Sequence, residues 1–294
     1  MKIVVKIGGS ELDNFFEDVK LKQSIRKLYP YMGSKERYID IINNLITFDT
    51  TNYNYIEPFL GSGVVFLNLP TKFKSYYLND FQKDLTLFFK HHNSISRDYF
   101  YSVISDIRDI KKLDIEKNKE HFYYFRDEIY NKETDEVKKA VYVFLIICTT
   151  INNMARWNNK TGNYNSCFGE RSYKNKVNYF TGSLTYCSDK NIQITNKCFT
   201  EVFKSIDLSD NNFLFLDPPY INTGSTYQIE HDKIAYMIDF LITNKVKFIY
   251  TDLENIYNEK LKDYFNYFHV NILRNPGPNR VKETVYKEII FYNI

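Results

Sequence analysis

The run Phe213-Leu214-Phe215-Leu216-Asp217-Pro218-Pro219-Tyr220 places the tightest constraint on how this chain can fold. Four consecutive apolar residues, two of them Phe, match a strand buried on both faces, as in parallel sheets. Two prolines then end it, because proline cannot continue a sheet ladder and holds the residue before it extended. Asp217 to Tyr220 is therefore predicted to sit rigidly at the carboxyl end of a central strand, where open α/β sheets place their ligands. The tetrapeptide offers an acceptor carboxylate, carbonyls fixed in direction and a flat ring. That set suits gripping a planar base by its amino group while the ring stacks on its face.

The remaining composition sets limits rather than a function. At 294 residues the chain can form one elaborated domain or two. Hydrophobic content of 44% and charged content of 26% are those of a soluble globular protein. The 26 Tyr and 24 Phe are many. Alongside abundant Lys, Asn and Ile they reflect an AT-rich coding sequence, so bulk aromatic content is not read as base stacking. Cys148, Cys167, Cys187 and Cys198 lack CxxC spacing, and neither zinc nor a disulfide framework is expected. The His91-His92 pair has no ligand grammar around it and reads as solvated surface. The apolar run in Met1 to Gly9 is too short for a signal peptide or a membrane span. The expectation is a soluble, intracellular, cytoplasmic protein without metal or membrane partner.

Along the chain, Lys2 to Ile7 reads as an edge strand and Gly8-Gly9-Ser10 as a turn without phosphate-loop spacing. Leu12 to Leu28 is predicted helical, an extension outside the main fold. Tyr31-Met32-Gly33-Ser34-Lys35 then leads into an amphipathic helix over Glu36 to Ile46. Its N-terminal amides and the Lys35 ammonium suit an anionic group; a simple helix cap is the alternative. A short strand at Tyr55 ends in Glu57-Pro58-Phe59, followed by the Gly61-Ser62-Gly63 turn and an apolar helix. Glycines there let backbone approach a ligand and turn sharply. The next strand, Ser75 to Asn79, ends at Asp80, where nucleotide-type folds hold ribose hydroxyls. Strand, GxG, helix, strand and Asp together point to an adenosine-containing cofactor.

From Leu85 to Ile151 the pattern is helical, with segments at Phe100 to Ile110 and His121 to Tyr130, and a further helix start at Thr134. Ala140 to Ile151 is predicted to be a buried core helix, and the charged run Asp109 to Glu120 a solvated linker. Then the chemistry changes: Asn152 to Asn165 is amide-rich and contains the only Trp. Residues 151–200 carry seven basic side chains against two acidic ones, a balance of +5, while the whole chain is only +3. Arg156, Trp157, Asn158, Lys160, Arg171 and Lys174 could contact phosphates, read base edges or wedge into a stack. A solvated basic loop is the alternative. Beyond the 213–220 run, Asp232 to Leu241 and residues 254–265 read as helices. Val246 to Thr251, His269 to Leu273 and Glu288 to Tyr292 read as strands, the last two forming a hairpin around the loop Asn275 to Asn279.

In this order the elements resemble the Dam-like class of DNA adenine-N6 methyltransferases. The residues that carry the resemblance are Tyr31-Met32-Gly33-Ser34-Lys35, Glu57-Pro58-Phe59-Leu60-Gly61-Ser62-Gly63, Asp80, and Asp217-Pro218-Pro219-Tyr220. Tyr-Phe-Arg-Asp-Glu at 124–128, Asn-Asn-Met-Ala-Arg-Trp-Asn at 152–158 and Asn165-Ser166-Cys167-Phe168-Gly169 are also similar, with Cys167 where the family usually has Pro. The resemblance covers about residues 25–294. It implies an α/β fold, a Rossmann-like methyltransferase sheet with helices on both faces, plus a mostly helical inserted target-recognition domain with a hairpin. By residue, that means an extension at 1–24, a catalytic domain at 25–90 and 190–294, and the insert at 91–189.

The resemblance further implies S-adenosyl-L-methionine as cofactor. Tyr31 and Lys35 would lie near its methionine and adenine parts, Glu57, Pro58, Phe59, Gly61 and Gly63 around it, and Asp80 on its ribose. Asp217, Pro218, Pro219 and Tyr220 would meet both cofactor and a flipped adenine, as in enzymes of restriction-modification. Double-stranded DNA would be the partner of a monomer or weak homodimer. RNA, a protein amide, or a catalytically silent DNA-binding module are the alternatives. Asp rather than Asn at 217 favours DNA.

Overall fold

A computed structural model describes residues 4–6, 25–221, 230–274 and 284–294 of the chain. Eight strands form one sheet: β1 (Val4–Lys6), β2 (Asn54–Glu57), β3 (Ser75–Asn79), β4 (Ile192–Thr195), β5 (Asn212–Leu216), β6 (Lys247–Leu253), β7 (Asn266–Arg274) and β8 (Thr284–Asn293). Their order across the sheet is β1-β7-β8-β6-β5-β2-β3-β4. β4, β3, β2, β5 and β6 are parallel neighbours. The β7–β8 hairpin joins antiparallel through β8 to β6, and β1 pairs with the outer side of β7. The edge strand expected near the N-terminus is thus present at residues 4–6. The predicted helix at 12–28 lies outside the described residues up to position 24, as do Gly8-Gly9-Ser10 and the loop at 275–279.

β5 is the middle of this sheet, and the alternation of side chains along a strand decides what covers each face. Phe213 and Phe215 point into one apolar cluster with Tyr55, Phe66 and Phe88. Leu214 and Leu216 point into another with Ile56, Phe248 and Tyr250. Eight α-helices are described: α1 (Ile39–Leu45), α2 (Lys83–His91), α3 (Arg97–Ser105), α4 (Lys119–Tyr124), α5 (Glu136–Thr149), α6 (Val177–Cys187), α7 (Phe199–Lys204) and α8 (His231–Asn244). Residues of α1 to α6 belong to the first cluster, and α7 and α8 cover the opposite face. Both faces of the sheet therefore carry helices. Residues 91–189 have no separate core: Phe100 of α3 stacks on Phe180 of α6 at 4.4 Å, and Phe180 meets Phe88 of α2 at 4.8 Å.

α5 is the buried helix expected at Ala140 onward, with every residue from Ala140 to Thr149 buried. Its cap is Asp135, one residue after the predicted Thr134; the carboxylate accepts from the Val137 and Lys138 amides. Three expectations fail for local reasons. After Gly63 only a single 3-10 turn forms, Phe66–Asn68, because Pro70 holds Leu69 extended at ψ 136°. The helix expected over 254–265 shrinks to a 3-10 turn, Asn258–Asp263, since the side chains of Asn255 and Asn258 are spent on the buried Asp252 carboxylate. The run Asp109 to Glu120 is not all solvated, because Ile115 and Glu116 are buried within it. His91 and His92 are half-buried, with ring nitrogens bonded to Glu136 at 2.8 Å and to the Phe89 carbonyl at 2.7 Å. β4 and α6 were not anticipated at all.

Among the described residues no helix is long and apolar enough to cross a membrane, and no group of three or more His, Cys, Asp or Glu side chains is placed to hold a metal. Since Leu214 is wholly buried in the central strand, Leu214→Ala is expected to cost about 2–5 kcal/mol. Urea unfolding with an unchanged m-value checks this.

Candidate active site

The strand order reverses between β2 and β5, so the segments leaving their carboxyl ends diverge and open a crevice. Glu57-Pro58-Phe59 leaves β2 there and Asp217-Pro218-Pro219-Tyr220 leaves β5. The two motifs read from the sequence are thus brought together by topology.

The β2 side is fastened to the end of β3. Asn79 donates from Nδ2 to the Pro58 carbonyl at 2.9 Å, and its own carbonyl accepts from the Leu60 amide at 2.9 Å. Asp80 accepts from the Gly61 amide on Oδ2 and the Gln82 amide on Oδ1, both at 2.8 Å. Burial nevertheless pushes the Asp80 carboxyl up to about 6, the two amide bonds offsetting only part of that cost. Asp80 is therefore first of all the clamp that fixes the glycine turn. Two amide bonds leave acceptor capacity on a carboxylate, which offers about four lone-pair sites. Gly61 and Gly63 both adopt left-handed backbone, φ +52° and +68°. A Cβ on Gly63 would lie 2.3 Å from the Phe89 ring, so only glycine fits. One on Gly61 would face the Tyr31 ring at 3.4 Å, so Tyr31 and the turn form adjoining walls. Phe59 is half-buried with its ring 5.0 Å from Phe199. Glu57 is wholly inside, accepting from the Tyr55 hydroxyl at 2.7 Å, and burial raises its carboxyl well above the usual range.

On the β5 side, Lys35 is the central cation. Gly33 turns the chain with φ +89°, and the Ser34 hydroxyl accepts from the Glu36 amide, opening the 3-10 turn Lys35–Tyr38 that leads into α1. Ser34 is thus a simple cap, as one reading of the sequence had it. Lys35 does more: it is 6% exposed, and its Nζ lies 2.7 Å from Asp217 Oδ1. The Thr251 hydroxyl, on β6, donates to the same oxygen at 2.9 Å. Neither contact uses Oδ2. Burial raises the Asp217 carboxyl above the aspartate range, while the Lys35 charge and hydrogen bond pull it back and Glu288 pushes it further up. The Lys35 ammonium also sits 4.9 Å from the centre of the Tyr220 ring. The Tyr220 hydroxyl donates to Glu288 Oε2 at 2.9 Å. Burial, then the Asp217 and Glu288 charges, hold that phenol protonated.

Sequence reasoning missed Thr251 and Glu288. Thr251 carries no signal, since it is ordinary in its strand. Glu288 has one: it is a charge inside a closing strand that otherwise reads as buried, Ile289 to Phe291.

The basic insert is arranged differently from the expectation in one respect. Trp157 is 3% exposed and does not face outward. Its Nε1 donates to Asp84 Oδ2 at 3.1 Å, an oxygen that also accepts from the Tyr130 hydroxyl at 2.6 Å. Its ring meets Tyr164 edge-on at 5.1 Å, and the two residues form an antiparallel bridge. Trp157 as a wedge or base reader is thereby corrected: it is the root of a small hairpin. The tip is closed by Asn158 accepting from the Lys160 and Thr161 amides and by Gly162 at φ +71°. Arg156, Asn158, Lys160, Arg171 and Lys174 are exposed around it. Lys174 pairs with the buried Glu116 at 2.9 Å, and Arg171 reaches Asn152 at 3.4 Å.

A parallel sheet with a reversal point, a left-handed glycine turn after β2 and a Lys35-paired Asp217 at the end of β5 define a class: open α/β proteins with a ligand site at the topological switch point. Residues 31–239 match the model of the D12 class of N6 adenine-specific DNA methyltransferases, and the chain belongs to that family. It is 35% identical to the type II methyltransferase M.MjaIII of Methanocaldococcus jannaschii over 184 residues, 59% of this chain and 61% of that protein. It is 28% identical to the DNA adenine methylase of Haemophilus influenzae over 207 residues, 69% of this chain and 67% of that one. The DNA adenine methylase of Escherichia coli K12 is 27% identical over 173 residues, 58% of this chain and 57% of the relative. The chain thus spans about three fifths of the length of the first of these relatives.

Trp157→Phe removes a buried hydrogen bond and keeps the ring packing. It is expected to lower stability by about 1–3 kcal/mol, measured by chemical unfolding, with DNA affinity of the folded fraction unchanged.

Proposed function

We propose that the chain is a site-specific methyltransferase that moves the methyl group of S-adenosyl-L-methionine to N6 of adenine in duplex DNA. The observation that carries this reading is the Lys35–Asp217 pair at the end of β5, in a chain of the D12 family. The donor set fits the cofactor. Asp80 and Asp217 supply carboxyl groups at the carboxyl ends of β3 and β5, which suits a ligand bearing ammonium and sulfonium charge, and the left-handed Gly61 turn adjoins the Tyr31 ring. Tyr31, Phe59 and Gly61 to Gly63 would enclose it, and the spare acceptor capacity of Asp80 suits ribose hydroxyls. When bound, the cofactor supplies a methyl group activated by positive sulfur.

The chain's own residues act on the base. An exocyclic aryl amine is a poor nucleophile because its lone pair is delocalised into the ring. Asp217 Oδ2 and the Pro218 carbonyl would accept its two N–H bonds, which draws the nitrogen toward a tetrahedral state with a free lone pair. The same carboxylate stabilises the positive charge that develops on nitrogen, the oxyanion-hole principle with its sign reversed. Lys35 and Thr251, both on Oδ1, orient the carboxylate. The adenine must leave the duplex to reach them, and the Tyr220 ring supplies a stacking face worth about 1–3 kcal/mol. Residues 91–189 are the target-recognition segment in this reading, with Arg156, Asn158, Lys160, Arg171 and Lys174 facing DNA and Trp157 anchoring the hairpin that carries Asn158 and Lys160.

The direct test is incubation with labelled S-adenosyl-L-methionine and genomic DNA, followed by mapping of N6-methyladenine; absence of the modified base defeats the reading. Asp217→Ala is expected to abolish transfer while the circular dichroism spectrum is kept. Only ionised Asp217 can accept the amine, and burial raises its carboxyl, so kcat should rise with pH through a limb above the ordinary aspartate range. A limb at or below that range would contradict the assignment. Lys160→Ala and Arg171→Ala should each reduce the slope of log affinity against log salt by up to about 0.9, one phosphate contact apiece. Unchanged slopes would move the DNA face elsewhere.

A further inference from the structure

We infer that Glu288 is a positioning residue of the methyl-transfer site, holding the Tyr220 ring in the orientation that receives the target base. The inference rests on the proposed function and extends it to an element the sequence motifs do not include, the closing strand β8.

The geometry that supports it is specific. Glu288 is 7% exposed, in the ladder where β8 pairs with β6 opposite Leu253. It lies 68 residues from Tyr220 in sequence, yet its Oε2 accepts the Tyr220 hydroxyl at 2.9 Å. The ring so held carries the Lys35 ammonium at 4.9 Å from its centre, and that ammonium is the one bonded to Asp217. A chain of contacts thus runs from Glu288 through the phenol and the ring to the cation that steadies the catalytic carboxylate. A buried carboxylate is costly to keep, and a strand whose neighbours are Ile289, Ile290 and Phe291 would be served better by an apolar residue if packing were its only task. Tyr220 follows two prolines, which restrict the backbone leading into it, and Glu288 gives the tip of its ring a fixed partner. Glu288 touches neither base nor cofactor in this arrangement; it acts through Tyr220.

The test compares Glu288→Ala, Glu288→Gln, Tyr220→Phe and the double variant Glu288→Ala/Tyr220→Phe on a duplex containing the mapped target. Glu288→Ala is expected to lower kcat at least tenfold while KM for S-adenosyl-L-methionine and Kd for the duplex change less than threefold. Tyr220→Phe cuts the same hydrogen bond from its other end and should give a similar loss, with the double variant no worse than the poorer single one. Glu288→Gln keeps an acceptor and should recover most of kcat. With 2-aminopurine at the target position, fluorescence of the flipped base should rise in Glu288→Ala as stacking loosens. A Glu288→Ala enzyme with normal kcat, losses that add in the double variant, or a cofactor KM that rises in step with the fall in kcat would each overturn the inference. Should Glu288→Ala fail to fold, Tyr220→Phe and Glu288→Gln decide it: normal kcat in Tyr220→Phe overturns it, and a loss in Tyr220→Phe with recovery in Glu288→Gln supports it. A wild-type chain that transfers no methyl group overturns the functional reading, and this inference with it; an active wild type separates the two.

Discussion

The ion pair between Lys35 and Asp217 is the contact around which the site is organised. Its oxygen and nitrogen are 2.7 Å apart, with the lysine almost wholly and the aspartate largely out of solvent. Such a pair contributes little to stability, since desolvating two charges costs about as much as their attraction returns. What it contributes is a charge state. Burial alone would favour the protonated acid, which is a weaker acceptor than a carboxylate. Lys35 opposes burial and keeps an acceptor available. Removing Lys35 alone would leave an uncompensated charge whose cheapest escape is to take up a proton. The tetrapeptide at the end of β5 therefore depends on a turn nearly two hundred residues earlier in the chain, and the fold exists in part to bring them together.

That dependence is distributed over the sheet rather than over a loop. β2, β5, β6 and β8 are consecutive neighbours, and each places one group at the site: Glu57, Asp217, Thr251 and Glu288. Strands held on both sides by ladders are stiffer supports than loops, and β5 has every residue buried. The basic hairpin follows the same logic with different chemistry. Its exposed tip carries Lys160, and its root is pinned to α2 by Trp157 on Asp84 and to the end of α5 by Tyr164 on Thr150. A second pin, Glu116 with the Ser172 hydroxyl and the Tyr173 amide, fastens the chain after it. Burial would raise the Glu116 carboxyl, yet the bonds from Ser172 and Lys174 outweigh it and leave it lowered.

What could be read from the sequence divides along physical lines. The central strand, the glycine turn, Asp80, the buried α5 and the closing hairpin were legible because each rests on a local signal: an apolar run, a residue that only one conformation admits, or a proline that stops a ladder. The apolar periodicity after Gly63 suggests a longer helix than forms, because it masks the breaker Pro70 seven residues on. Trp157 departs from its local signal for a deeper reason. Its neighbours Arg156, Asn158 and Lys160 are polar, and composition alone places a loop on the surface. Nothing local says that Asp84, in another helix, offers the indole a buried acceptor. The side chains that complete the site are of the same kind. Thr251 and Glu288 are defined by which strands pair, and pairing across 34 and 68 residues leaves no trace in spacing.

The distribution of charge around Asp217 explains why both a cation and a neutral donor converge on one oxygen. Glu288 pushes the Asp217 carboxyl up, and so does burial; Lys35 pulls it down. Asp252, one residue beyond Thr251, adds another carboxylate, itself raised to about 6 by burial despite bonds from Tyr250, Leu253 and Asn255. With these carboxyl groups gathered at the carboxyl ends of β5 and β6, a second lysine on Asp217 would oppose its burial more strongly but would also take up more of the carboxylate. Thr251 supplies a neutral hydrogen bond instead, which favours the charged form without occupying Oδ2. One ammonium and one hydroxyl thus converge on Oδ1, both opposing the burial that raises the acid, and neither contact uses Oδ2.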